Sequence, residues 1–206
     1  MGLSTVSLKR QIYAHRGLWG VPQKNSLEAL TSAARAGYSI ETDLRDFGAS
    51  IAISHDPAIQ LSEMNFSELI SLNSKFALNI KSDGLIPLLP DIRAKGVDYF
   101  FFDGSIPELY RYRQAGFNTA IRLSEFELHL PWKTSYIWLD AFETDWWLDK
   151  LPLEKYSVDS EIIVVSPELH GRNKSRVWDV VLEEIQRGNT SISICTDFPE
   201  EFEACI

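Results

Sequence analysis

Short apolar segments recur along the chain, and each one ends in polar residues. Eight such segments are spaced through the sequence, and they lie at residues 11–15, 38–43, 76–81, 98–103, 119–122, 136–140, 162–166 and 191–197. Most of them are followed by a stretch in which apolar residues recur at helical spacing. Short buried strands that alternate with helices are typical of an α/β protein with a parallel sheet.

Three helices can be predicted together with their ends. The first covers residues 25–37, with Asn25 as the predicted N-cap and Glu28 at the capping-box position. The other two also end at glycine, and they lie at residues 106–116 and 175–188. Residues 123–133 have no helical pattern, so one helix of the fold is predicted to be short or missing.

Two architectures fit this order of elements: a closed (β/α)8 barrel and an open, doubly wound sheet. Eight strands favour the barrel, although 206 residues is short for a fold that typically has about 250. The open sheet would be favoured by a Gly-rich nucleotide-binding fingerprint after a strand, and the sequence contains none. We therefore predict one short TIM-barrel domain over residues 1–206, with residues 50–56 as an excursion after the second strand.

Polar side chains cluster where the predicted strands end. The chemistry-bearing residues at these ends are His15, Arg16, Glu41, Asp43, Asn79, Lys81, Asp103, Arg122, Asp140, Thr196 and Asp197. In a barrel, the carboxyl ends of all strands meet at one face, and barrel active sites are built there. A single acid at such a position, such as Asp103 or Asp140, is more commonly structural, because every strand needs a polar exit from the core.

Glu41 and Asp43 stand two residues apart in the second predicted strand, so both point to the same face. Two neighbouring carboxylates repel each other unless a cation lies between them, and Mg2+ or Ca2+ is the usual partner of such oxygen ligands. The alternative is an exposed edge strand whose acids face solvent. Asn79 and Lys81 have the same spacing in the third strand, where they could serve the ion and an anionic substrate, or simply mark the strand exit.

His15 and His55 are two of four histidines, and each directly follows an apolar segment. Cleavage of a phosphodiester needs a base or nucleophile on one side of phosphorus and an acid for the leaving alkoxide on the other. Two imidazoles can meet both needs. The alternative for each is a structural histidine at a strand end. Asp56 could orient His55, although Pro57 makes the same segment a turn signal.

Composition argues against some partners and leaves others open. A formal net charge of -9 without a basic stripe argues against nucleic acid, whereas a small phosphorylated substrate needs only a few cationic groups or a metal. No apolar run approaches the roughly 18 residues of a membrane span, and the N-terminal residues lack the apolar run of a signal peptide. Cys195 and Cys205 are expected to be unpaired thiols, so we expect a cytoplasmic protein. The sequence does not indicate an oligomeric state.

Six segments together resemble the glycerophosphodiester phosphodiesterase family. They read AHRG at 14–17, NSLEA at 25–29, GYSIETDLR at 37–45, ISHDP at 53–57, LNIK at 78–81 and CTDFPEEF at 195–202. The order His-Arg-Gly, Glu-x-Asp, His-Asp and ligand-x-Lys is specific as a set, whereas no member is specific alone. The match is clear over residues 1–81 and weaker at the C-terminus.

The resemblance implies a phosphodiesterase barrel with an insertion after the second strand, which carries the second histidine. Carried over by position, His15 and His55 become the general acid–base or nucleophile pair, and Arg16 and Lys81 become contacts to the substrate phosphate. The implied activity is cleavage of a small, glycerophosphodiester-like molecule. Hydrolysis and a lyase reaction through a cyclic phosphate both remain open.

The same resemblance implies one divalent cation, Mg2+ or Ca2+, held by Glu41 and Asp43. The family usually has glutamate at the place of Asn79, so this chain has one negative charge fewer at the implied metal site. Asn79 and Asp103 are further candidate ligands. Lys24 also departs from the family, which favours glutamate there before its first helix. These departures leave a second function open: a barrel that binds a phosphate or sugar phosphate without turnover.

Loops after the later strands would determine which alcohols the substrate carries. The candidate contributors there are Arg122, Trp146, His170 and Arg172. Glycerol, inositol, choline-type and nucleotide-derived esters all fit the sequence. A third class of function, a structural or interaction domain, would use exposed aromatic surface. Six tryptophans are present, but buried helix packing accounts for them equally well.

Overall fold

Eight parallel strands form a ring at the centre of the protein, as the alternation of apolar segments predicted. The computed structural model describes residues 8–20, 22–90, 92–151 and 153–206. Within these residues the strands are β1 (Ile12–His15), β2 (Ser39–Phe47), β3 (Ser50–Ile53), β4 (Lys75–Ile80), β5 (Asp98–Phe102), β6 (Ala120–Leu123), β7 (Tyr136–Leu139), β8 (Glu161–Val165) and β9 (Ile192–Thr196). Barrel strands pair in the order β5-β4-β2-β1-β9-β8-β7-β6, and a parallel bridge between Phe101 and Thr119 joins β5 to β6.

The remaining strand, β3, forms the excursion after the second barrel strand. It pairs antiparallel with the outer part of β2, from Leu44 opposite Ile53 to Phe47 opposite Ser50. Because the pairing of β2 with β4 ends at Leu44, this hairpin extends beyond the ring. The excursion carries His55 on the C-terminal side of the barrel.

Short connections allow 206 residues to complete the ring. The helices of the described chain are α1 (Leu27–Ala36), α2 (Phe66–Leu69), α3 (Ile106–Gln114), α4 (Leu153–Ser157), α5 (Ser175–Gln186) and α6 (Pro199–Glu203). The described residues between β4 and β5 form two 3-10 turns, Ile86–Leu88 and Ile92–Lys95, and a third, Pro167–His170, follows β8. Residues 124–135 contain no helix, so the prediction of a missing helix is confirmed.

The N-cap of helix α1 lies one residue later than predicted. Ser26 is the N-cap, because its hydroxyl oxygen accepts a hydrogen bond from the Ala29 backbone N at 3.1 Å. The predicted capping box between Asn25 and Glu28 is therefore wrong. Asn25 instead adopts a φ of 62° and directs its side chain toward β2. The predicted end of the helix at Gly37 is confirmed.

Alternation along the strands divides the apolar side chains into two cores. The inward-facing set fills the ring and consists of Tyr13, Ala77, Phe100, Phe102, Ala120, Trp138, Ile163, Val165 and Cys195. The outward-facing set packs against the helices and includes Ile12, Ile40 and Leu78. The ring centroids of Phe102 and Trp138 lie 4.0 Å apart. Both residues lie near the C-terminal ends of their strands, β5 and β7.

An ion pair between the buried Lys75 and the half-buried Glu161 lies at the opposite, N-terminal end of the ring. Glu161 also accepts hydrogen bonds from the Tyr13 hydroxyl at 3.3 Å and the Ser193 hydroxyl at 2.9 Å. The Lys75 ammonium lies 5.3 Å from the centroid of the Tyr136 ring. Because both charges are shielded from water, loss of either one would leave the other without its main partner.

Two further expectations concern the cysteines and the helices. Cys195 is buried and Cys205 is exposed, and both are free thiols, as expected. Burial raises the pKa of the Cys195 thiol, so this side chain acts as part of the apolar interior. Among the described residues, no helix has the length and apolar character needed to cross a membrane.

The substitution Lys75→Met is expected to lower the free energy of unfolding by about 2 kcal/mol or more, because it leaves the half-buried Glu161 without its main cation. Urea unfolding followed by tryptophan fluorescence measures the change. Lys133→Met is the matched control, since the Lys133 side chain is 97% exposed and its contact with Asp159 spans 3.9 Å. The control should stay near the wild-type stability. Similar losses in both variants would contradict a structural role for the buried pair.

Candidate active site

Glu41 and Asp43 point into the barrel from β2, near the C-terminal mouth. Only 1% and 0% of their respective surfaces are exposed, so the alternative of an exposed edge strand is wrong. The strand register sets His15 of β1 beside Glu41 and Asn79 of β4 beside Asp43. Three neighbouring strands thus bring four of the predicted site residues together.

Three nitrogen-bearing side chains surround the Asp43 carboxylate. Asn25 Nδ2 donates to Oδ2 at 2.8 Å, and Arg16 Nε lies 2.8 Å from the same oxygen without hydrogen-bond alignment. Lys81 Nζ lies 3.5 Å from Oδ1. The Thr42 hydroxyl donates to Asn25 Oδ1 at 2.8 Å, which fixes the orientation of the amide. Two cations therefore compensate the charge of Asp43.

Glu41 has weaker partners than Asp43. The Arg16 backbone N donates to Oε2 at 3.2 Å, Asn79 Nδ2 approaches Oε1 at 3.5 Å, and His15 Nε2 lies 3.8 Å from Oε2. Burial, and then the neighbouring Asp43 carboxylate, raise the pKa of Glu41 well above its ordinary value, although nearby cations oppose the shift. The site therefore lacks part of the positive charge that an ionised Glu41 would need.

Asp197 orients the imidazole of His15. His15 Nδ1 lies 2.5 Å from Asp197 Oδ1, so we infer that Nδ1 carries the proton and that the lone pair of the neutral ring is at Nε2, facing Glu41. Burial lowers the pKa of His15 below its ordinary value, although Asp197 opposes this effect. Lys24 Nζ lies 3.2 Å from Asp197 Oδ2 and 4.0 Å from the centroid of the Trp19 ring.

The sequence places His15 and Asp197 at strand ends but does not indicate that they pair. The closed barrel could have predicted this contact, because the first and last strands of such a barrel are neighbours, and β1 does pair with β9. Lys24, at which the chain departs from the family pattern, contacts the same aspartate. Its ammonium approaches the carboxylate that holds the histidine.

Asp103 follows the last residue of β5 and joins Asn79 to Arg122. Asn79 Nδ2 donates to Asp103 Oδ2 at 3.2 Å, and Arg122 Nη1 donates to Asp103 Oδ1 at 3.1 Å. Burial raises the pKa of Asp103, and Arg122 opposes the shift. Arg122 Nε also donates to Glu127 Oε2 at 2.5 Å. Asp103 therefore reaches Glu41 through the Asn79 amide.

His55 lies on the excursion, at the rim of the mouth. Its Nδ1 is 2.9 Å from Asp56 Oδ1, and its side chain is 46% exposed. With Arg16, it lines a cavity of about 770 Å3 between the excursion and the loop before α1. Among the described residues, no hydrogen bond or ion pair joins His55 to His15. The structure thus brings His55 to the same cavity as Arg16 but leaves the two histidines without a direct link.

The remaining candidates from the sequence lie on the other side of the mouth, around Asp140. Asp140 follows the last residue of β7, and its Oδ1 lies 2.7 Å from His170 Nε2. Trp146 Nε1 donates to the Asp140 carbonyl oxygen at 2.9 Å. Arg172 Nη1 donates to Asp145 Oδ1 at 2.6 Å. Each predicted contributor is therefore held in place by a neighbouring residue.

Backbone strain is concentrated at this site. In the described chain, the residues other than glycine with positive φ are Arg16 at 60°, Asn25 at 62° and Asp103 at 62°. Each contacts one of the buried polar residues from β2 or β4. Such conformations cost about 1–3 kcal/mol each and persist where the surrounding structure enforces them, which is common at functional sites.

The structure has a known counterpart. No family model and no curated protein matches the sequence. The fold is similar to a crystal structure of a glycerophosphodiester phosphodiesterase from Thermotoga maritima, with a TM-score of 0.71, 16% sequence identity, and coverage of 96% of this chain and 98% of that chain. This chain has the fold of that phosphodiesterase. The predicted TIM barrel is therefore confirmed, and the resemblance seen in the motifs is supported at the level of the fold.

Oxygen atoms suited to a hard cation line the mouth of this phosphodiesterase fold. Asp43 Oδ1 and Asn79 Oδ1 are buried, and neither accepts a hydrogen bond from a described residue. Together with the Glu41 carboxylate they offer three oxygen-bearing side chains on adjacent strands. The described residues contain no metal-binding group of three or more His, Cys, Asp and Glu side chains.

Gly17 is expected to be essential for the loop that carries Arg16. Its φ is 90°, and a Cβ at this position would come within 2.5 Å of the Ala29 carbonyl carbon. Gly17→Ala should therefore lower the free energy of unfolding by at least about 2 kcal/mol, as measured in denaturant. Gly20→Ala is the matched control, because a Cβ there has no neighbour within 4 Å among the described residues. If the two variants were equally stable, the close packing of this loop on α1 would be disproved.

Proposed function

We propose that this protein is a metal-dependent phosphodiesterase that acts on a small, glycerophosphodiester-like molecule. The observation that carries the proposal is one cluster at the barrel mouth, in which a carboxylate-held imidazole, His15, meets the acids Glu41 and Asp43 and the cations Arg16 and Lys81. Similarity of the fold to a glycerophosphodiester phosphodiesterase supports the same reaction class. The formal net charge of -9 argues against a nucleic-acid substrate and in favour of a small one.

We propose that Glu41, Asp43 and the carbonyl oxygen of Asn79 hold one divalent cation, Mg2+ or Ca2+. Asp103, in contact with Asn79, is the candidate further ligand. When bound, such an ion neutralises the charge on the non-bridging oxygens of a phosphodiester. Support comes from the uncompensated charge at Glu41, whose pKa is raised by burial, and from the two buried oxygens without donors.

The side chains of the protein then have distinct roles. Arg16 and Lys81 approach Asp43 from opposite oxygens, and both remain about one-fifth exposed, so a phosphate entering the mouth can meet both cations. In the neutral His15 ring, Nε2 carries no proton, which suits a base that accepts a proton from an attacking water. The resemblance pairs it with His55 as the second imidazole. The position of His55 beside Arg16 in the cavity wall supports a contact with the substrate.

Two different nucleophiles can cleave a phosphodiester of this kind. Attack by water on phosphorus yields a phosphomonoester and an alcohol, whereas attack by a hydroxyl beside the ester yields a cyclic phosphate and the same alcohol. We propose hydrolysis as the net reaction, with His15 Nε2, which lies 3.8 Å from Glu41 Oε2, as the base that receives the proton of the attacking water. Phosphorus NMR of the products distinguishes the two outcomes.

Asn79 favours a second candidate function, in which the barrel binds a phosphate or sugar phosphate without turnover. Its amide nitrogen contacts Glu41 and Asp103, where a third acid would strengthen a cation site. A binding protein of this kind would be stabilised thermally by phosphate esters and would leave them intact. Turnover of a phosphodiester therefore separates the two functions.

The activity test uses bis-p-nitrophenyl phosphate, with EDTA or with added Mg2+ or Ca2+. The wild-type protein should cleave it, EDTA should abolish cleavage, and one of the two ions should restore it. His15→Ala should lower the rate by at least ~100-fold, the usual scale of acid–base assistance. His129→Ala is the control, because His129 is an exposed histidine outside the cluster. A His15→Ala variant as fast as the wild type would show that the assignment of the base is wrong.

The cation site can be tested without activity. Asn79→Glu should tighten binding of Mg2+ or Ca2+ by at least about tenfold, because it adds a carboxylate to two buried acids. Isothermal titration or the cation-dependent rise in melting temperature measures the affinity. Asn73→Glu adds the same charge at an exposed position and should not change it. Equal affinities in the two variants would place the cation, if any binds, away from Asn79.

A further inference from the structure

We propose that Glu168 is a positioning residue for the reaction, because it holds the turn that carries Asp197 and thereby fixes the imidazole of His15. This inference rests on the proposed function, in which His15 is the base. Glu168 lies in the 3-10 turn that follows β8, and Asp197 follows the last residue of β9. Because β8 and β9 are paired strands, the two acids stand at adjacent strand ends, although 29 positions separate them in the sequence.

The Glu168 carboxylate accepts hydrogen bonds from the residues around Asp197. Its Oε1 accepts from the Asp197 backbone N at 3.2 Å and from the Thr196 hydroxyl. The Thr196 hydroxyl oxygen in turn accepts from the Phe198 backbone N at 3.0 Å. Three consecutive residues at the end of β9 are therefore held, directly or through Thr196, by one carboxylate oxygen.

The other oxygen of Glu168 connects it to the interior of the protein. Oε2 accepts a hydrogen bond from the Ser166 hydroxyl, and the Ser166 oxygen accepts one from Trp178 Nε1 at 2.7 Å. Ser166 and Trp178 are both buried, and the tryptophan belongs to α5. A carboxylate with both oxygens bonded to packed groups has few alternative orientations, so it can fix the positions of its partners.

Asp197 connects this network to His15. Its Oδ1 lies 2.5 Å from His15 Nδ1, and its Oδ2 lies 3.2 Å from Lys24 Nζ. The backbone of Asp197 is thus held by Glu168, while its carboxylate holds the imidazole. If the turn at Asp197 were free to shift, the imidazole would shift with it, and misplacement by about 1 Å can cost about 100-fold in rate.

Positioning differs from the other roles that a carboxylate can have. A ligand of a cation, or a group that gives or takes a proton, depends on the ionisable carboxyl group. The hydrogen bond from the Asp197 backbone N requires only an acceptor oxygen, and glutamine supplies one. The positioning role therefore predicts that glutamine, but not alanine, can replace Glu168.

The variants Glu168→Ala and Glu168→Gln test the proposal with bis-p-nitrophenyl phosphate as substrate. The alanine variant should lower kcat by at least ~10-fold and change KM by less than about threefold, because it disturbs the base and leaves Arg16 and Lys81 in place. The glutamine variant should keep kcat within about threefold of the wild type, since its amide oxygen can accept the same hydrogen bond. Glu183→Ala is the control, on a side chain that is 65% exposed, and should change neither value.

A double-mutant cycle separates positioning from a general loss of structure. In a His15→Ala background, Glu168→Ala should lower the residual rate by less than about twofold, because the group that Glu168 positions is already absent. A general structural defect would lower the rate by the same factor in both backgrounds. Unfolding of each variant in denaturant confirms that the assays report on folded protein.

The contact can also be followed without turnover, by NMR with isotope-labelled histidine. The proton on His15 Nδ1 should exchange slowly with solvent while Asp197 holds it, and His15→Ala identifies its signal. The signal should persist in Glu168→Gln and be broadened or lost in Glu168→Ala. If these results were obtained with a protein that cleaved no diester, they would support the structural link to His15 and contradict the proposed function.

Three results would overturn the positioning role. They are an unchanged Nδ1 signal in Glu168→Ala, equal losses of rate in the two backgrounds of the cycle, and a glutamine variant as impaired as the alanine variant. The last of these would show that the reaction needs the negative charge of Glu168. If the wild-type protein cleaved the diester and His15→Ala did not, the proposed function would stand even where the role of Glu168 failed.

Discussion

Two carboxylates buried side by side in an apolar barrel are the constraint on which the mouth of this protein depends. Glu41 and Asp43 are 1% and 0% exposed, and an unpaired charge is costly in such an environment. The fold compensates only part of that charge, since two cations approach Asp43 and weaker donors approach Glu41. Glu41 is therefore left with less compensation than Asp43 among the described residues.

The compensation explains the strained backbone around the mouth. Arg16 must turn back from β1 to reach both acids, and its positive φ, together with Gly17 packed on α1, makes this turn possible. Asn25 binds Asp43, and Ser26 is the N-cap of the helix. Strain is thus stored in the loop residues that serve the two acids. A fold optimised for stability alone would place an ordinary turn here.

Closure of the ring places two imidazoles, each held by a carboxylate, around one opening. His15 and Asp197 meet because β1 and β9 are neighbours. His170 and Asp140 meet because the short 3-10 turn after β8 lies beside the end of β7. Both pairs therefore consist of residues at strand ends or in the short segments that follow them.

The sequence by itself determined the eight strands, the excursion, and the shared face of Glu41 and Asp43, because alternation and polar strand ends are local properties of the chain. The local sequence could not show that Ser26 and not Asn25 caps the helix, because both residue types are good N-caps. The hydrogen bond from Asn25 to Asp43, which is distant in sequence, leaves Ser26 as the cap. The pairing of His15 with Asp197, 182 positions apart, was decided only by the tertiary structure. Long-range contacts of this kind follow from the closure of the ring, and no short segment encodes them.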